Sequence, residues 1–292
     1  MFKKILNLHE EATNQRLVEG CSTYGASAYP KVRLADVLPI ENSGITNAEY
    51  SYAMKAHFDF VVCDKEKIPQ FAVEFDGPLH RNSDQQERDK KKNGLCKYFG
   101  FPLLRINSNH LPKKYKEYDL LSWCVENWFL SIEFKKAQED GHVPWDEPYD
   151  PMMFINLPGR KSKFPMRLAS EVRLKIQKLA KQGKIVSPFI SDWIGIDKNG
   201  DYHGIAWVRI SEGLGVATET AMRKQQFPVS ETELLSEILC FQIIEAVEGV
   251  LEGHRKPEEY SSIMNRLENC AETFKVRSFA GYGNENPREK QP

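Results

Sequence analysis

The chain has 292 residues, 41% hydrophobic and 28% charged, with a formal net charge of -1. This length holds about two domains at roughly 100 to 200 residues each, and the composition is that of an ordinary globular protein. The near-neutral charge excludes attraction of nucleic acid by the molecule as a whole, so such a partner would have to be met by a local basic surface.

Three basic runs are candidates: Lys90 to Lys92, then Lys113, Lys114 and Lys116, then Arg160, Lys161, Lys163 and Arg167. Each also suits a plain solvated face. No apolar run reaches the roughly 18 to 20 residues of a membrane span, and the opening MFKKILNLHEE turns acidic before a signal-peptide segment can form. The expectation is a cytoplasmic protein with no membrane partner. Six scattered cysteines show no CxxC pair and no zinc spacing, which reads as reduced and mostly buried thiols.

In chain order, Phe2 to about Gly20 has loose helical spacing, and Ala28 to Ile40 alternates as a strand bounded by prolines. A turn-rich loop and then a short helix are expected next. His57 to Cys63 reads as a central strand, apolar on both faces except at Asp59, and Gln70 to Phe75 as the next strand. Asp84 to Phe99 is helical, with Gln85, Asp89 and Lys92 on one face, and Phe101 to Ile106 supplies a fourth strand. Tyr115 to Ala137 predicts an amphipathic helix, and the Gly, Pro and Asp of the next stretch predict a linker over about 139–164.

A second, α+β domain is expected over 165–280. It opens with a helix carrying Leu168, Val172, Ile176 and Leu179, then a hairpin turning at Asn199-Gly200. Ser230 to Gly253 predicts a strong helix with a Ser230/Glu233 capping box and a Val229/Leu234 staple. A further helix around Pro257 to Phe274 and a polar, disordered tail over 281–292 complete the reading.

The chemistry concentrates between His57 and Ile106. Asp59, Glu74 and Asp76 lie on strands where a buried sheet favours Val or Ile, and unpaired burial there costs several kcal/mol. Glu74 and Asp76 share one strand face by the period of two. Converging carboxylates from neighbouring strands form a hard-oxygen site suited to Mg²⁺ or Mn²⁺. Singly, each residue has an ordinary reading: Asp59 as a strand cap, Asp76-Gly77 as a turn, His80 as a structural hydrogen bond, and Asp89 with Lys92 as an i, i+3 ion pair.

At these residues the sequence resembles the PD-(D/E)xK nuclease superfamily, with its restriction-endonuclease-like αβββαβ core and mixed central sheet. More narrowly, KVRLADVL, HFDFVVCD, FAVEFDGPLH, RDKKKN and FPLLRI resemble the family catalogued as domain of unknown function 2726, over about Ala12 to Asn109. The resemblance implies metal binding by Asp59 and Glu74, with the main-chain carbonyl of Phe75 as a third ligand. The superfamily's lysine position falls on Asp76, a departure that shifts the expected cation to Lys92 on the following helix, supported by Gln85 and Asp89. An acidic residue of the first helix, Glu11 or Glu19, would complete the metal's outer shell. His80 stands at the mouth of the site as an acid/base or phosphate contact, and Arg81, Lys90 and Lys91 would meet nucleic acid.

The leading expectation is a Mg²⁺-dependent (or Mn²⁺-dependent) nuclease acting on nucleic acid, DNA first. A catalytically inactive nucleic-acid-binding module is the alternative, motivated by Asp76. A third reading makes the C-terminal domain a surface for a protein partner or self-association, since the helix from 230 to 253 is apolar enough to serve it. That apolar content is equally the mark of burial in its own domain.

Overall fold

The computed structural model describes residues 6–76, 83–107, 114, 115, 118–153, 155, 157–159 and 165–281. Two compact units divide the chain: Met1–Lys163 with Gln225–Val229, and Phe164–Lys224 with Ser230–Pro292.

The first unit begins with α1 (Leu8–Ser22), whose capping box joins Asn7 and Glu10 reciprocally. Strand β1 (Ser27–Arg33) follows, then a 3-10 turn at Leu34–Asp36 and helix α2 (Asn47–Ala53). Strand β2 (His57–Cys63), β3 (Pro69–Asp76), α3 (Ser83–Tyr98) and β4 (Leu103–Asn107) complete a four-stranded sheet in the order β1-β2-β3-β4. Neighbours are antiparallel except β3 and β4, which run parallel, so the sheet is mixed and β2 is internal. A two-stranded ribbon, β5 (Lys114–Tyr115) and β6 (Tyr118–Asp119), precedes α4 (Leu120–Glu139).

Ala72 of β3 shares a core with Phe58, Val61, Leu103, and Leu95 and Cys96 of α3. Its neighbour Phe71 meets Trp128 of α4 at 5.1 Å between ring centres. Adjacent residues of a strand point to opposite faces, so α3 and α4 cover opposite faces of the sheet. Beyond β4, the main chain of Gln226 accepts the Leu103 N–H at 3.0 Å, so the outer edge of the sheet is paired rather than bare.

The strand expected over Ala28–Ile40 ends at Arg33. Leu34 donates its N–H to the Ala56 carbonyl and accepts from Leu38, which turns the chain inward and buries Leu34, Leu38 and Ile40. Asp119 accepts the Ser122 N–H at 3.0 Å and so starts α4 at Leu120 rather than Tyr115. The stretch read as a linker packs in part within this unit: Met152, Ile155 and Leu157 are buried, and Tyr149 meets Phe134 edge-on.

The second unit contains α5 (Ser170–Lys181), β7 (Ser191–Ile196), β8 (Tyr202–Arg209), β9 (Leu214–Met222), α6 (Glu231–Leu251), β10 (Glu258–Glu259), α7 (Tyr260–Thr273) and β11 (Lys275–Ala280). Its five strands form an antiparallel sheet ordered β10-β9-β8-β7-β11. Ala206 and Val208 pack with α5 and α6, while Ile205 and Trp207 pack with Ile263 and Leu267 of α7. The apolar side chains Leu235, Leu239, Ile243 and Val247 of α6 are buried in this unit's own core. Asn199-Gly200 does form the turn, with Gly200 at a φ of +90°. The tail from 282 lies outside the described residues, and no helix among those described is long and apolar enough to cross a membrane. All six cysteines are free, five of them buried.

Candidate metal and phosphodiester site

Strand register builds the site. Pro30 pairs with Phe60 and Val32 with Phe58, which sets Lys31 of β1 opposite Asp59 of β2. On the other side Phe60 pairs with Val73, and one step further Asp59 stands opposite Glu74 of β3. Here side chains take over from the ladder. Glu74 Oε1 accepts the Asp59 N–H at 3.2 Å, and Asp59 Oδ2 accepts the Phe75 N–H at 3.0 Å. The carboxylates thus hold the two strands together at the point where they also converge.

Each carboxylate has an ammonium partner. Lys92 of α3 donates to Glu74 Oε1 at 2.7 Å and to the His57 carbonyl at 2.8 Å, with its charge 5.7 Å from the centre of the Phe58 ring. Lys31 donates to Asp59 Oδ1 at 2.9 Å and to Glu10 Oε1 of α1 at 2.6 Å. The side chain of Lys92 is 10% exposed and that of Lys31 35%, so Lys31 is the cation that solvent reaches. Lys31 adopts a φ of +53°, a left-handed conformation unusual for a side-chain-bearing residue and frequent at functional sites.

Behind this pair lies a second layer. Arg105, across from Glu74 on β4, donates to Asn93 Oδ1 through Nε and Nη2 at 3.1 and 2.9 Å and lies 3.5 Å from Asp89. Glu10, Asp59, Glu74 and Asp89 therefore bring four carboxylates against the three cations Lys31, Lys92 and Arg105, a formal excess of one negative charge within this set.

Burial, with the charge of Asp59 adding to it, lifts the carboxyl of Glu74 above the usual range, against the pull of Lys92 and Arg105. Burial opposes the charge on Lys31, yet its hydrogen bonds to Asp59 and Glu10 raise its pKa above the ordinary lysine value. Tyr52, which donates to the Arg88 carbonyl at 2.9 Å, is pushed up to about 12, first by burial and then by the charges of Glu74 and Asp89.

Of the residues singled out from sequence, Asp59, Glu74, Asp89 and Lys92 come together. Asp76 ends β3 with its main chain paired to Asn107, but its side chain and those of His80, Arg81 and Gln85 lie outside the described residues. Lys90 is exposed, and Lys91 is exposed and pairs with Glu87 one turn away. Glu19 is exposed and accepts from Gln15, and Glu11 is half-buried.

Glu10 is the α1 residue bound to the Lys31 that holds Asp59. It continues the buried stripe Thr13, Leu17, Cys21 at helical spacing, and Asn7-x-x-Glu10 is a capping-box signature, so two sequence signals pointed to it. Lys31 and Arg105 were missed outright. Arg105 had a signal, a charge inside an apolar strand; Lys31 had none without the register. Among the described residues no three His, Cys, Asp or Glu side chains form a ready metal cluster.

No curated protein and no solved structure matches the chain. Residues 3–120, the segment that carries the whole αβ arrangement around Asp59 and Glu74, match the model of the family described as Protein of unknown function (DUF2726).

Proposed function

We propose that the first unit is a Mg²⁺- or Mn²⁺-dependent nuclease of the PD-(D/E)xK type, hydrolysing phosphodiester bonds of nucleic acid, with DNA the expected polymer. The observation that carries this reading is the convergence of Asp59 and Glu74 across β2 and β3, each tied to the other's strand. The order of α1, β1, β2, β3, α3 and β4, with α2 inserted, is also that of the superfamily core.

The donors fit a hard divalent ion: two carboxylates converging from neighbouring strands, with the adjoining Phe75 carbonyl as a further oxygen. Such an ion, when bound, supplies Lewis-acid stabilisation of the phosphoryl oxygen and a water of lowered pKa. The chain's own residues do the rest. Lys92 and the Asp59 N–H aim Glu74, and the Phe75 N–H aims Asp59. Lys92 is buried against Glu74 and the His57 carbonyl, which makes it a positioning residue rather than a phosphate contact. Lys31, the more exposed of the two lysines, holds Asp59 from the side of β1.

A second reading, an inactive nucleic-acid-binding module, is favoured by Asp76 in the lysine position. One experiment separates the two. Purified protein and its Asp59→Ala variant are incubated with plasmid, single-stranded DNA and RNA in Mg²⁺, Mn²⁺ or EDTA. Metal-dependent cleavage that Asp59→Ala loses supports the nuclease. Equal inactivity of both over the panel, with salt-sensitive binding that needs no metal, supports the module.

A further inference from the structure

We propose that Lys31 is the resident counter-cation of Asp59, and that a divalent ion at Asp59 takes its place while the ammonium withdraws to Glu10. This rests on the metal reading above and adds how that site is loaded.

Both oxygens of Asp59 are engaged: Oδ1 by the Lys31 ammonium at 2.9 Å and Oδ2 by the Phe75 N–H at 3.0 Å. A divalent ion binds a carboxylate oxygen at about 2.1 Å, so an ion on Oδ1 would sit within a few ångström of the ammonium, where like charges repel strongly. The two cations therefore exclude each other at that oxygen. Lys92 is not the one to yield, because it is buried and also held by the His57 carbonyl. Lys31 is more exposed and already has a second carboxylate, Glu10, at 2.6 Å, so leaving Asp59 does not strand its charge.

Glu10 is itself fixed for this purpose. Its other oxygen accepts the Asn7 N–H at 2.9 Å in the capping box, at the N-terminal end of a helix whose dipole favours a carboxylate. Lys31, left-handed at a φ of +53°, bridges α1 and β2 through Glu10 and Asp59. Without Lys31, Asp59 would face Glu74 with no cation of its own, since Lys92 is held by Glu74. With it, the metal-free fold is held together at the cost of weaker metal binding.

The test measures Mn²⁺ affinity by isothermal titration of the full chain, for wild type, Lys31→Gln, Glu10→Gln, the double variant and Asp59→Asn, with circular dichroism to confirm that each folds. Lys31→Gln is expected to bind Mn²⁺ about tenfold more tightly than wild type, a coupling of ordinary size between two linked binding events. Glu10→Gln is expected to weaken binding in the wild-type background, where Lys31 loses its alternative partner, and to have little effect in the Lys31→Gln background. Loss of folding cannot imitate a gain of affinity. Equal or weaker binding by Lys31→Gln, or a Glu10→Gln effect of the same size in both backgrounds, overturns the exchange while leaving the metal site standing. No binding by either wild type or Lys31→Gln removes the metal reading itself, and the exchange with it.

Discussion

The ammonium of Lys31 lies 2.9 Å from Oδ1 of Asp59, across two antiparallel strands whose register pairs the residues on either side of them. The lysine that makes this contact is left-handed, and the strain of that backbone is measurable. Lys31→Ala and Lys31→Gly both remove the ammonium, but only glycine accepts the φ of +53° without strain. The glycine variant is expected to be more stable than the alanine variant by about 1 kcal/mol in EDTA, read from urea unfolding. Equal stability would mean that the left-handed backbone is not maintained.

Lys92 and Glu74 form a buried pair whose members depend on each other. Lys92→Met leaves a buried carboxylate with its nearest cation gone, and the expected cost is about 3–5 kcal/mol. Replacing both, as Lys92→Met with Glu74→Leu, removes the uncompensated charge and is expected to recover most of that loss. Hydrogen exchange of the amides of β2 and β3 reads the stability of the first unit. Simple addition of the two single-variant effects would contradict the pairing.

In the second unit, Asp192 is buried and accepts a hydrogen bond from the Ser236 hydroxyl. Burial raises its pKa, outweighing that bond and the nearby Arg173. The folded state therefore holds the proton more tightly than the unfolded chain. Stability from this group falls as pH climbs from the ordinary value of 3.8 through the raised one, then stays level. Asp192→Asn keeps an acceptor for Ser236 and is expected to flatten that fall in a series of unfolding curves between about pH 3 and pH 7. An unchanged slope would place the titration elsewhere.

Much of the sheet was legible in the sequence because its strands announce themselves. His57–Cys63 is a dense apolar run closed by a turn, and the structure returns it with the same bounds. Asp59 and Glu74 stood out as charges where a buried sheet excludes them. Lys31 did not, because a lysine after a proline looks like any exposed strand residue until the pairing of Pro30 with Phe60 puts it beside Asp59. Strand β11 also escaped. Its sequence KVRSFA is short and mixed, none of its residues is buried, and its place at the sheet edge comes from pairing with β7 rather than from its own apolar pattern.

The central claim is that Asp59 and Glu74 form one divalent-cation site. Crystals of the protein soaked in Mn²⁺ and measured at the manganese absorption edge test it directly. The account expects an anomalous peak about 2.1 Å from a carboxylate oxygen of both residues, with the Lys31 ammonium moved from Asp59 toward Glu10. A fully occupied manganese elsewhere in the first unit, or none at Asp59 and Glu74 in open, metal-saturated crystals, would contradict it.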